Sequence, residues 1–189
     1  MRATVTHLEM HQPFPLATWN AAPRELPDQI AFVEAHQLAL PDYRQLYHDV
    51  GDKWFWVNRK HMDDATLATI IHSTSTEIHL LCKNDKNIGF VELNLRNFPS
   101  AEIVFVGLIE SYIGMGLGRY MLSRALWDLA ARGVRKLIIQ TCSLDHPNAL
   151  ALYQEFGFAP VSFQRVELRH DRFHVMGKRE PALNATGPD

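Results

Sequence analysis

The chain has 189 residues, 47% of them hydrophobic and 21% charged, a balance that supports one sizeable core and argues against a disordered or low-complexity chain. The formal net charge is -2, and lysines and arginines are scattered without a run of five, so nothing asks for nucleic acid or a membrane surface. No stretch approaches the roughly 20 apolar residues needed to cross a bilayer, and the N-terminus MRATVTHLEM lacks an apolar leader segment, which places the protein in the cytoplasm.

In chain order, a strand is expected over Thr4 to Met10, and the rest of the first forty residues mixes proline with short apolar pieces that assign to nothing definite. PDYRQLYHDVGDKWFWVNRK reads as a Pro-initiated helix broken at Gly51 and followed by aromatics. In DDATLATIIHS, Asp63 or Asp64 can cap a short amphipathic helix whose Leu67, Ile70 and Ile71 share a face. EIHLLCKN and NIGFVELNLRN around the turn KNDKN form a hairpin, and AEIVFVGLI adds a third, central strand to an antiparallel meander.

A helix follows the glycines of ESYIGMGLGRYML: Leu117, Met121, Leu122, Ala125, Leu126 and Leu129 recur at helical spacing, and Gly133 ends it. RKLIIQTC is a buried strand, and DHPNALALYQEFG is a helix with Pro147 in its first turn and Gly157 at its stop. PVSFQRVELR and RFHVMGKR are the last strands. The expected organisation is one mixed α/β domain over residues 1–180, with 181–189 as a flexible tail.

Gly114, Gly116 and Gly118 stand where a strand feeds a helix, a natural anion cradle because the first N–H groups of a helix lack partners. Two nucleotide fingerprints fail there. GxGxxG would need glycine at Arg119 or Met121, and a P-loop would need Lys-Ser/Thr where Arg119-Tyr120 stands. Cys82 and Cys142 lie in strand-like runs without CxxC spacing and read as buried free thiols. His7 with His11, and His170 with His174, have HxxxH spacing in strand segments that hold i and i+4 far apart, so no metal is expected.

AEIVFVGLIESYIGMGLGRYMLSRAL resembles strand four, the pyrophosphate loop and helix three of the GNAT superfamily of acetyl-CoA-dependent N-acetyltransferases, with Gly116 and Gly118 at its two small positions. IIQTCSLDHPNALALYQEFGF is similar to that family's strand five and next helix, with Asn148, Tyr153 and Gly157-Phe158 at matching places. The resemblance covers roughly residues 62–160, and Ile113 stands where the family usually opens the loop with Gln or Arg. It implies a mostly antiparallel mixed sheet, flanked by helices and splayed between the family's strands four and five.

The resemblance further implies acetyl-CoA as co-substrate, no metal, and direct acetyl transfer to a primary amine of a small molecule, with a homodimer as an admissible assembly. Acceptors on peptide or protein amines, or a non-catalytic acyl-CoA-binding role, are the alternatives. The coenzyme would lie against Leu108, Ile109, Ile113, Gly114, Met115, Gly116, Leu117, Gly118, Arg119 and Asn148, with backbone groups from Gly107 to Ile109 taking the pantetheine amides and the oxyanion. Glu102, matching the glutamate of the superfamily's histone acetyltransferases, is the candidate base, its pKa raised by burial among Ile103, Val104 and Phe105; a solvated strand-end carboxylate is the alternative. Tyr153 is the candidate acid, or else a core tyrosine beside Leu150.

Glu92 shares a strand face with Phe90 and Asn94 and is either a competing base in a polar patch or part of an exposed face. Cys142 reads as core rather than an acyl carrier. Trp54, Trp56, Tyr43 and Phe173 either wall an acceptor pocket or fill the core beneath the helices.

Overall fold

The computed structural model describes residues 1–20, 26–27, 29–170 and 172–182. Among these residues the strands are β1 (Arg2–His11), β2 (Ile30–Glu34), β3 (Thr76–Lys83), β4 (Lys86–Asn94), β5 (Ser100–Leu108), β6 (Lys136–Cys142), β7 (Ala159–Arg169), β8 (Arg172–Val175) and β9 (Glu180–Pro181). The helices are α1 (Leu16–Asn20), α2 (Leu40–Gly51), α3 (Asp64–Ile71), α4 (Leu117–Ala131) and α5 (Ala149–Glu155). All strands join one sheet in the order β2-β3-β4-β5-β6-β1-β7-β8, with β9 also on β7.

The expected meander is present: β3, β4 and β5 pair antiparallel, and β3 turns into β4 through Asn84 and Asp85, both at positive φ as a tight hairpin turn requires. Asp63 caps α3, accepting from the Thr66 N–H at 2.8 Å. β5 and β6 pair in parallel, which demands a crossover, and α4 supplies it.

The amphipathic elements divide the core between the two sheet faces. On one face α4, α1 and α5 cover Leu8, Val91, Leu93, Ile103, Leu137 and Ile139; on the other α2 and α3 cover Ile78, Leu80 and Phe90. β6 is not buried throughout: Leu137 and Ile139 point into the core while Gln140 is exposed, so only one of its faces is covered.

Several expectations change. Residues 12–39 contain a one-turn helix and a five-residue edge strand, both too short to leave a periodic signal. The fully buried Trp19 anchors that region, donating its indole N–H to the Phe156 carbonyl at 2.9 Å. The expected N-terminal strand is present as β1 and lies inside the sheet, between β6 and β7. Pro147 precedes α5 instead of sitting in its first turn, because residues 142–148 close a turn of their own: Asp145 N–H donates to the Cys142 carbonyl and Asn148 N–H to His146 Nδ1. Of the expected tail, Pro181 pairs with Ser162 and Ala182 N–H donates to the Val161 carbonyl; residues 183–189 lie outside the described residues.

Arg132, at the C-terminal end of α4, forks onto both oxygens of Glu77 on β3 at 2.7 Å. The His79 ring beside Glu77 and the Arg132 fork outweigh the desolvation of the carboxyl and hold it down at about 2, from 4.5. Depression of a folded-state carboxyl gives stability that is complete above the unfolded value and lost as pH falls towards the folded one. Solvent screening keeps this contribution to about 1 kcal/mol. In urea titrations, Glu77→Gln is expected to lose about that much at pH 7 and only a small part of it at pH 2; an equal loss at both would contradict the pairing.

Candidate active site

The site begins with a break in pairing. β5 and β6 run in register over Ser100–Ile103 and Lys136–Ile139 and then part. The cause is local: on β5, Val104 is an extra residue, since Ile103 pairs with Leu93 and Phe105 with Glu92 on β4. Such a bulge bends and twists its strand. Beyond it, residues Val104–Leu108 have no registered partner on the β6 side, and a cleft of about 710 Å³ opens there.

Leu108, Ile113, Gly114, Gly116, Gly118, Arg119 and Asn148 all line this cleft. Gly114 (φ +87) and Gly116 (φ +79) take left-handed backbone, and a Cβ at either would project into open space. The first helical bond of α4 runs from Tyr120 N–H to the Gly116 carbonyl, so the N–H groups of Leu117, Gly118 and Arg119 have no partner within the helix. Together these features give a cradle of backbone donors at the positive end of the helix dipole.

Three loop residues stand apart from the cleft as side chains. Met115 is exposed, the Leu117 side chain is buried in the core, and Ile109 donates its N–H to the Ile88 carbonyl at 2.9 Å. Arg119 is not a free charge, because it binds Glu155 at 2.6 Å and stacks over Phe156, tying α4 to α5.

Glu102 and Tyr153 both line the cleft. Glu102 is half-buried rather than buried among its strand neighbours, and accepts from Gln140 Nε2 at 3.3 Å. Tyr153 is 7% exposed, packs edge-on to Phe158, and its hydroxyl has no hydrogen-bond partner among the described residues. Burial, and then the nearby Asp145, push its phenol well above the usual range, so it holds its proton.

Glu92 is neither a cleft base nor an exposed face. It is 1% exposed, accepts from Tyr43 Oη at 2.5 Å and Arg59 Nη2 at 2.7 Å, and is absent from the cleft lining. Strand alternation placed it correctly beside Phe90; what covers that face, α2 and the segment after it, is not visible in the strand itself. The aromatic group divides: Trp54, Trp56 and Phe173 line the cleft, whereas Tyr43 is core. Both cysteines are half-buried, and Cys142 lines the cleft with its thiol pushed up by burial.

The sequence reading missed Asp145 and His146, both on the cleft wall. Asp145 accepts from the Cys142 N–H at 2.7 Å, Thr141 Oγ1 at 2.9 Å and Trp56 Nε1 at 3.2 Å, and burial raises its pKa. A carboxylate three residues past a strand end is a turn signal, but its bond to Trp56 spans 89 residues and leaves no local trace. Among the described residues no group of three or more His, Cys, Asp or Glu is placed to hold a metal ion, and no helix is long and apolar enough to cross a membrane.

A family model described as the acetyltransferase (GNAT) family matches residues 33–158. The chain belongs to that family. The matched span contains the cradle, the splayed strands, Glu102 and Tyr153, and it leaves out β1.

Among relatives of this GNAT chain, a mycothiol acetyltransferase of Corynebacterium efficiens is 28% identical over 114 residues, 60% of this chain and 37% of the relative. The chain thus aligns with little more than a third of that relative's length. The ribosomal-protein-S18-alanine N-acetyltransferase of Escherichia coli superposes with a TM-score of 0.56 at 20% identity, covering 69% of this chain and 77% of its own. A GNAT family acetyltransferase of Elizabethkingia anophelis, solved with acetyl-CoA bound, gives 0.52 at 21% identity, covering 70% and 78%. These likenesses are of fold.

Removing one member of a buried ion pair strands the other, at a cost of about 3 to 5 kcal/mol. Glu92→Ala is therefore expected to destabilise the protein by that amount in urea titrations, while Glu102→Ala changes stability by less than about 1 kcal/mol. Similar losses for both would contradict the division between a structural and a cleft carboxylate.

Proposed function

We propose that the chain is an N-acetyltransferase that moves the acetyl group of acetyl-CoA to a primary amine of a small molecule by direct attack. The observation that carries this reading is the parting of β5 from β6 beside the N-terminus of α4, which leaves strand donors of β5 and a cradle of helix donors on one cleft. The cradle suits a pyrophosphate, because side chains are missing where its oxygens would approach. The strand edge suits the amides of a pantetheine arm, which can add to β5 as a strand would. Acetyl-CoA supplies an activated thioester whose C–S bond breaks as a C–N bond to the acceptor forms.

The chain's part is then positioning, charge stabilisation and proton movement. N–H groups of β5 beyond the bulge stabilise the negative charge that develops on the thioester oxygen. An alkyl ammonium has a pKa of about 10.4, so the amine must lose a proton before it attacks. Glu102, at the apex of the cleft, accepts it directly or through water. Tyr153, protonated at neutral pH, gives its proton to the departing sulfur, whose own basicity rises in the same dry surroundings. Trp54, Trp56 and Phe173 wall the acceptor side, and one relative's name, mycothiol acetyltransferase, also favours a small acceptor.

The test is acetyl-CoA-dependent thiol release against polyamines, amino acids, arylamines, aminoglycosides and short peptides, corrected for hydrolysis without acceptor. Turnover with a small amine is expected; turnover with peptides alone, or coenzyme binding without turnover on any amine, would overturn the reading. With an acceptor in hand, Tyr153→Phe is expected to lower kcat by about 10²-fold or more and Glu102→Gln to lower it also, with acetyl-CoA affinity nearly unchanged. Gly116→Trp is expected instead to weaken acetyl-CoA binding by at least about tenfold, because it fills the cradle and strains a left-handed position. Unchanged turnover in both acid–base variants would sink their assignments.

A further inference from the structure

A second cavity, of about 320 Å³, lies behind the cleft between α2 and the segment that follows it, and Trp56 and Arg59 line both spaces. Trp56 is the partition. Its indole occupies room that only glycine leaves: a Cβ on Gly51 would come within 2.6 Å of the ring, and one on Gly107 within 3.0 Å of Cη2. Its N–H reaches across the splay to Asp145, and its ring packs on Phe105 with centroids 5.0 Å apart. The residue before it, Phe55, is held in left-handed backbone at φ 56, a conformation that bulky residues avoid unless the surroundings impose it. Helix end, strand, turn and backbone therefore all fix this one ring over Gly107.

Resting on the coenzyme reading above, we propose that Trp56 sets the length of the acyl group that the cleft accepts. With its thioester oxygen held by the free edge of β5, the acyl carbons would lie in the cleft beside Phe105 and Val106, where the Trp56 indole packed on Phe105 stands in their way. On this proposal a two-carbon group stops short of the ring, and further methylenes need the second cavity, which the ring separates from the cleft. That cavity has Tyr43 and Tyr47 on one side and Arg44, Asp52 and Lys60 on its rim, so a longer chain would run along the aromatic side once the partition is removed. Asp145 is the positioning residue. Asparagine in its place would turn an NH₂ group either at the Trp56 N–H or at the Cys142 N–H, and would loosen the partition without removing it.

The test is calorimetric binding of CoA, acetyl-CoA and butyryl-CoA to the full chain, a readout that needs no acceptor. One extra methylene against a closed apolar wall discriminates by about 10-fold to 200-fold. The wild-type protein is therefore expected to bind butyryl-CoA at least about tenfold more weakly than acetyl-CoA. Trp56→Ala should bring the two within about threefold and leave CoA itself unchanged, with Asp145→Asn intermediate. Should Trp56→Ala fail to fold, Trp56→Phe decides, with a narrowed ratio expected. Equal wild-type affinity for the two thioesters, or an unchanged ratio in the folded variant, overturns the proposal and leaves the coenzyme reading standing. A wild-type protein that binds neither CoA nor acetyl-CoA overturns both.

Discussion

The parallel pairing of β5 with β6 ends at Ile103 and Ile139, and the arrangement of the site depends on that ending. A parallel sheet is normally continuous and buried, because unpaired peptide groups inside a protein carry a desolvation cost. Here one extra residue, Val104, bends β5 away, and beyond it the peptide groups on the β6 side face a cleft while the other edge stays paired with β4. The same edge that would be a liability in a closed sheet becomes a row of fixed donors. α4 then completes the arrangement, since the crossover that parallel strands require brings a helix N-terminus to the wide end of the opening.

Around that opening the chain uses charge in two distinct ways. Glu92, Arg59 and Tyr43 form a buried group whose carboxylate is consumed by its two donors and anchors α2 and the segment after it to the sheet. Glu102 and Asp145 lie on the cleft wall, where a ligand can meet them. Asp145 does a further job, because its bond to Trp56 joins the N-terminal aromatic segment to the turn after β6, across the gap that the strands leave. Two elements that are remote in sequence are thereby held as one wall.

Local patterns made much of the fold legible. The hairpin, the cap of α3, the glycine turn and the helical face of Leu117 to Leu129 each follow from residues within about a dozen positions of one another. The cradle was readable for the same reason. Features set by long-range partners were not: the slot of β1 between β6 and β7, the short edge strand β2, the bulge at Val104 and the Trp56–Asp145 bond are decided by segments tens of residues away. Glu92 shows the limit most clearly. Alternation assigns its face, but whether that face meets water, substrate or an arginine depends on a helix that the strand sequence does not describe.

The central claim is that the unpaired edge of β5 and the first turn of α4 form one continuous coenzyme site. Backbone amide chemical shifts during titration of the full chain with acetyl-CoA test it most directly. The account predicts that the amides of Val106 to Leu108 and of Gly114 to Arg119 shift together, in one saturating transition, while those of β2 and β8 stay still. Shifts confined to another surface, or movement of the loop amides without those of β5, would contradict it.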